Sequence, residues 1–197
     1  GRALDRSRRT VFQLAGLFSV DSFAGGFVVT FIIVLWFGVR FGASAGYMGG
    51  VIFVAGLLQA VSSIIAARLA GALGLLNTMV FSHLPSNILL LLVPLMPNLP
   101  LATAVLLGRF ALSQMDVPTR QAYIAAMVEP QERTAAAGVT NTARYLSRPL
   151  GPAVGTALMQ NVATGAPFVV AGAVKSIYDV VLWRVFKRVP LPEGERP

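Results

Sequence analysis

Apolar residues in this chain come in blocks of about twenty or more, the length a helix needs to cross the ~30 Å hydrocarbon core of a bilayer at ~1.5 Å per residue. Six such segments are predicted, near 11–37, 46–67, 75–95, 101–128, 134–162 and 166–186. Between them lie a loop at 38–45 carrying only Arg40, a short link at 68–74, the tight turn Pro97-Asn98-Leu99-Pro100, and the polar turn Glu129-Pro130-Gln131-Glu132-Arg133. Proline and glycine in these stretches stop helices, which is why the breaks are placed there.

The polar positions inside the segments fall into patterns. In the fourth, Arg109, Ser113, Asp116, Arg120 and Tyr123 lie within a band roughly 80° wide at 100° per residue and form one polar stripe. Ionised groups at membrane depth cost on the order of 2.5 to 3.5 kcal/mol each on insertion scales, so this stripe is expected to face a bundle interior or a wet cavity. Asp116 and Arg120, at i and i+4, are expected to pair, either as part of a site or as a lock between helices. Pro118 lacks an amide donor and should kink the helix beside them.

Elsewhere Asp21 stands in the first segment ahead of Gly25-Gly26, where a partner helix can approach closely. His83 and Asn87 share a face of the third segment beside Pro85. In the fifth, Asn141, Arg144 and Arg148 share a face with Gly151 and Gly155. In the sixth, Lys175 and Asp179 form a second i,i+4 pair, of reversed polarity. The candidate substrate and ion-coupling residues are therefore Asp21, His83, Asn87, Arg109, Asp116, Arg120, Asn141, Arg144, Lys175 and Asp179. Gly46, Gly49, Gly50 and Gly56 of the second segment are read as close-packing positions.

Composition adds the class. With 55% hydrophobic and 12% charged residues the chain is an all-α integral membrane protein, and its lipid bilayer is its first partner. It has no cysteine and one histidine, so thiolate chemistry and a His-rich metal centre are excluded; no metal and no cofactor is expected. A net charge of +8 raises nucleic acid as a partner, but the cations are divided between segment interiors and segment ends, which excludes a nucleic-acid patch. The end charges carry topology instead. Arg2, Arg6, Arg8, Arg9, Arg68, Arg133, Arg184, Lys187, Arg188 and Arg196 fall on one side of a six-span arrangement and Arg40 on the other, so both termini are expected in the cytoplasm of a multi-pass protein in a plasma or inner membrane. Residues 1–10 read as a cytoplasmic linker, 11–186 as the transmembrane domain, and 187–197 as a disordered tail. The opening without methionine reads as a loop that follows something else, so the chain is expected to be a piece of a longer one. Three spans plus three suit an inverted repeat, on topology alone.

These residues carry a resemblance. Leu106-Leu107-Gly108-Arg109-Phe110-Ala111-Leu112-Ser113-Gln114-Met115-Asp116-Val117-Pro118, followed by Glu129-Pro130-Gln131-Glu132-Arg133 and a small-residue helix, resembles the fourth or tenth helix and the cytoplasmic exit turn of a major facilitator superfamily transporter. Arg109 and Gln114 match the arginine and glutamine of that helix, and Pro130, Glu132 and Arg133 match the turn. The 68–74 link sits at the position of the family's loop motif without its acidic residue or basic run, and Gly151-Pro152-x-x-Gly155 is similar to its Gly-Pro helix motif. The resemblance implies a C-terminal six-helix half that works with an N-terminal six-helix half, from the same longer chain or a second copy, by alternating access to a small-molecule substrate at the midplane.

The function expected is thus secondary active transport, proton-coupled. Efflux of an anionic or amphipathic compound is favoured by an excess of two positive charges among the intramembrane candidates once Arg148 is counted. The competing readings are a non-transporting six-helix scaffold, a half-transporter that dimerises, and an intramembrane enzyme. The last lacks a serine in a Gly-x-Ser-x-Gly turn, and His83 is its only candidate base. The topology has a direct check. A cysteine introduced at Asn98 should react with an impermeant thiol reagent added outside intact cells; labelling only after permeabilisation would reverse the orientation.

Overall fold

The computed structural model describes residues 4–189. Nine α-helices account for nearly all of them: α1 Arg8–Gly25, α2 Thr30–Phe41, α3 Ala45–Leu73, α4 Leu75–Leu92, α5 Leu99–Ser113, α6 Asp116–Ala126, α7 Arg133–Ser147, α8 Gly151–Asn161 and α9 Ala166–Phe186. No strand occurs among the described residues. Four helical stretches are long and apolar enough to cross a membrane, Arg8–Phe41, Ala45–Leu73, Leu75–Leu95 and Ala166–Phe186. α1 begins at Arg8, and the stretch read as a link at 68–74 is helical up to Leu73. Residues 1–3 and the tail from 190 onward lie outside the described residues.

Three of the predicted segments are broken helices, and two of the breaks follow from proline. Pro118 lacks an amide proton and its ring crowds the carbonyl four residues back, at Gln114; α5 ends at Ser113, and α6 starts at Asp116 with its carboxylate in the first turn, where the helix dipole favours it. Pro149 and Pro152 likewise separate α7 from α8 across the 3-10 turn Arg148–Leu150. The break between α1 and α2, through the 3-10 turn Gly26–Val28 and the extended Val29, has no proline. Its cause is a close approach. A Cβ on Gly26 would stand 2.6 Å from the Arg148 carbonyl oxygen and 2.7 Å from Gly151 Cα, and one on Gly155 would stand 2.4 Å from the Phe27 carbonyl oxygen. Backbone against backbone at this range admits glycine only, so the expected close approach at Gly25-Gly26 lands on Gly26.

The glycines of α3 behave otherwise. Gly49, Gly50 and Gly56 have nothing within 4 Å of where a Cβ would lie, and Gly46 meets only its own N-cap, Ser44. The prediction that they mark close packing is corrected for the described residues: α3 is the least buried of the four long stretches, and these positions lie off its contact face.

Packing runs α4 against α9 and α5, α1 against α7 and α9, and α3 against α5. It produces two apolar clusters with a polar layer between them. One joins Val11, Leu14 and Phe18 of α1 to Met79 and Val80 of α4, Tyr123 and Ile124 of α6, and Leu182 and Phe186 of α9. The other joins Phe27, Trp36 and Phe37 to Leu90 and Val93, Ala102 and Leu106, and Phe168 and Ala171. Each helix that contributes to both clusters passes through polar residues on the way: Asp21 and Ser22 in α1, Ser82 to Asn87 in α4, Lys175 in α9.

The turn before α7 is anchored to the start of the chain. The Glu132 carboxylate accepts hydrogen bonds from the amides of Asp5 at 2.5 Å, Arg6 at 3.0 Å and Ser7 at 3.0 Å, while Arg133 Nε donates to the Ala125 carbonyl at 3.0 Å. Donation from the Asp5 amide, then from Ser7 and Arg6, holds the Glu132 carboxyl down at about 2, below its ordinary 4.5. A depressed carboxyl contributes stability that is complete above 4.5 and lost as pH falls through about 2. Melting of the detergent-solubilised protein should therefore occur at a lower temperature in Glu132→Ala than in wild type at pH 7, and the difference should close as pH is taken down through that window. A gap independent of pH would assign the effect to packing.

Candidate functional site

Within the polar layer, α1, α4 and α9 bring four titratable side chains together. Lys175 Nζ donates to Asp21 Oδ1. His83 Nδ1 lies 2.8 Å from Asp179 Oδ1, and Asn87 Nδ2 donates to Asp179 Oδ2 at 2.8 Å. Both oxygens of Asp179 are thus engaged. With Asp179 ionised, Nδ1 carries the histidine proton and donates it to the carboxylate, leaving Nε2 pointed toward Asp21 Oδ1 at 3.8 Å. All five residues are buried, Asp179 and Asn87 completely. The edge of the Tyr178 ring packs against the imidazole.

The expected Lys175–Asp179 pair is corrected by this geometry. Lys175 crosses to Asp21 on α1, and Asp179 turns to His83 and Asn87 on α4. Spacing along one helix shows which residues share a face, and it cannot show that a better partner stands on the helix opposite. Asp21, without a partner in its own helix, is the hub that sequence spacing alone did not find.

Asp116 and Arg120 do form the expected i,i+4 pair on α6, with the Arg120 guanidinium also 5.7 Å from the centre of the Phe18 ring. Across the break at Gln114–Met115, four of the five stripe residues, Arg109, Ser113, Asp116 and Arg120, still line one cavity, and only Tyr123 leaves it. Tyr123 turns into the apolar cluster of Phe18 and Phe186, its hydroxyl without a partner among the described residues.

A cavity of about 380 Å³ opens between α1, α2, α3, α4, α5, α6, α7 and α9. Seven of the ten predicted residues line it: Asp21, His83, Arg109, Asp116, Arg120, Arg144 and Lys175. Asn87 and Asp179 lie behind His83 and act on the cavity through it. Asn141 does not line it. Sequence reading placed Arg148 inside the membrane without choosing it as a site residue, and Gln59 of α3 was not singled out; both line the wall. A lone glutamine in an apolar helix was the available signal for the second.

The wall is held by bonds that cross between helices. Ser22 Oγ donates to the Arg144 carbonyl at 3.0 Å, tying α1 to α7, and Ser86 Oγ donates to the Arg109 carbonyl at 3.1 Å, tying α4 to α5. Both bonds leave the arginine side chains available to the cavity. What the arrangement can do is bind a charged solute and exchange a proton at His83, which lines the cavity and has the Asp21 carboxylate beside its Nε2.

The pairing has a measurable energetic consequence. Asp21→Asn leaves Lys175 buried without its counter-charge, and removal of one member of a buried pair costs about 3–5 kcal/mol. Chemical unfolding in detergent should register a loss of that size, and the double substitution Asp21→Asn with Lys175→Met should recover most of it. An equal loss in single and double variants would show that the two charges are not energetically linked.

Comparison with known proteins places this chain in a family. The family model described as Major Facilitator Superfamily matches residues 14–197. An uncharacterized membrane protein of Saccharomyces cerevisiae is 28% identical over 184 residues, a match that covers 91% of this chain and 41% of the yeast protein. The chain therefore spans less than half the length of that relative. No solved structure matches it.

Proposed function

The chain belongs to the major facilitator superfamily, and on that premise we propose that it is the C-terminal six-span half of a proton-coupled secondary transporter. Membership makes it a multi-pass membrane transport protein whose partners are a bilayer and a small-molecule substrate. The finer reading takes α1 with α2, α5 with α6, and α7 with α8 as single broken spans, which with α3, α4 and α9 gives six in a 3+3 arrangement with both termini cytoplasmic. An N-terminal half completes the pathway, and the cavity between halves opens alternately to either side. The moved solute is anionic or amphipathic.

The observation that supports coupling is the Asp21–Lys175–His83–Asp179 group. With His83 neutral, two carboxylates face one ammonium and the group carries one net negative charge; a proton on Nε2 makes it neutral. Protonated, His83 directs Nε2–H at Asp21 and competes with Lys175 for the same oxygen. Lys175 also lines the cavity, so a proton on His83 releases an ammonium toward a solute, and a solute that takes Lys175 favours the proton. Reciprocity of this kind is what coupling requires, because each ligand shifts the equilibrium only through its differential affinity. Asp116, held by Arg120 in the same wall, is the second carboxylate placed to answer a solute in this way.

The test uses the complete protein in liposomes loaded with a pH-sensitive dye, challenged with a panel of soluble organic anions. Wild type should admit protons with at least one member of the panel. His83→Gln should still bind that anion, measured as thermal stabilisation in detergent, and should admit no protons above empty liposomes. Proton entry by His83→Gln at the wild-type rate would make the histidine a packing residue and remove it from the mechanism.

A further inference from the structure

The same cavity holds more positive charge than its pairs consume. Its wall carries five cations, Arg109, Arg120, Arg144, Arg148 and Lys175, against the two carboxylates Asp21 and Asp116. Each carboxylate is already committed, Asp116 to Arg120 and Asp21 to Lys175. Among the described residues no carboxylate lies within ion-pair distance of Arg109, Arg144 or Arg148, and no hydrogen bond satisfies their guanidinium groups. The Nε atoms of Arg109 and Arg144 are buried and without a partner. The Arg109 guanidinium carbon lies over the Phe110 ring, 5.1 Å from its centre.

Unpartnered buried guanidinium nitrogens are costly, and a planar fork of N–H donors matches one kind of ligand above others, an oxygen-bearing anion that accepts two parallel bonds. Arg109 comes from α5 and Arg144 from α7, on separate helices that border one cavity, and Arg148 stands exposed at its rim. We propose that this cavity binds its cargo through a carboxylate or phosphate group held by Arg109 and Arg144, with Arg148 guiding it in. The inference rests on the transporter reading for the word cargo and on the cavity alone for the chemistry. It narrows an anionic or amphipathic solute to one with a compact oxoanion, and it assigns the holding of that group to residues distinct from the proton-exchanging His83.

The experiment is a binding assay on the complete protein purified in detergent, without any gradient. Succinate, glycerol 3-phosphate and inorganic phosphate are titrated while the melting temperature is followed, with choline as a cationic control. At least one oxoanion should stabilise the protein saturably and choline should not. Arg109→Gln and Arg144→Gln should each weaken the apparent affinity about tenfold or more, the expected loss of a charge-assisted hydrogen bond. Arg109→Lys, which keeps the charge and loses the fork, should recover only part of it. Arg148→Gln, at the exposed rim where folding does not depend on it, should weaken binding by a smaller factor, and Arg40→Gln, outside the cavity, should bind as wild type. Folding of every variant is verified by its melting transition; if Arg109→Gln and Arg144→Gln both fail to fold, Arg109→Lys and Arg148→Gln carry the test.

Saturable stabilisation by choline alone, or by none of the probes, would overturn the inference. So would folded arginine variants that bind the oxoanion as tightly as wild type, since the arginines would then pair with carboxylates elsewhere in the protein. A further arm supplies phosphatidylglycerol in the micelles. Stabilisation by that lipid and by no soluble anion would identify a lipid headgroup in the cavity and overturn the assignment to cargo. Oxoanion binding without proton-driven uptake in liposomes would defeat the transporter reading and leave this one standing, whereas proton-driven accumulation of choline would do the reverse.

Discussion

Charge buried in an apolar slab must be compensated, and in this chain that requirement is met across helices. Lys175 on α9 reaches Asp21 on α1, and Asp179, one turn further along α9, is taken by His83 and Asn87 on α4. Three helices are fastened at one depth by contacts that are expensive to break, since a single loss strands a charge in the interior. The same contacts place a histidine nitrogen and an ammonium at the wall of a cavity, so the fastening and the chemistry are one set of atoms.

The second constraint is steric. Gly26, Gly151 and Gly155 let the turn between α1 and α2 lie against the start of α8, backbone on backbone. Helices interrupted at this depth expose carbonyls and amides that a continuous helix would satisfy internally, which a membrane tolerates where the backbone borders protein or water. The breaks at 26–29, 114–115 and 148–150 each supply residues to the wall of the cavity. A wall assembled from helix ends can be recessed and lined by polar groups in a way a wall of unbroken helices resists.

The unequal fates of the cations follow from which helix each occupies. Arg120 finds Asp116 four residues earlier on its own helix, and Lys175 finds Asp21 across a tight α1–α9 contact. Arg109 and Arg144 have their carbonyl oxygens tied up by Ser86 and Ser22 while their side chains face open space. A structure that spends its carboxylates on two cations and leaves three others facing a cavity is polarised toward an anion, and the polarity belongs to the arrangement rather than to the net charge of the chain.

Helix content, membrane residence and the breaking effect of Pro118, Pro149 and Pro152 were all legible along the chain, because each depends on local composition and backbone chemistry. So was the Asp116–Arg120 pair, which needs only one turn of helix, and so were most of the titratable residues that line the cavity, because a charge in an apolar segment has few places to go. Spacing failed where the outcome depended on a neighbour. It joined Lys175 to Asp179, kept Tyr123 in a stripe whose other four members line the cavity without it, assigned close packing to glycines of α3 that meet nothing within the chain, and passed over the break at Gly26. For the Lys175 pairing and the Gly26 break the deciding atom lies on another element: the Asp21 carboxylate, the Arg148 carbonyl, the Gly151 Cα. Local sequence determines which groups cannot remain in lipid, and only the packing of helices decides which of them find each other and which are left facing the cavity.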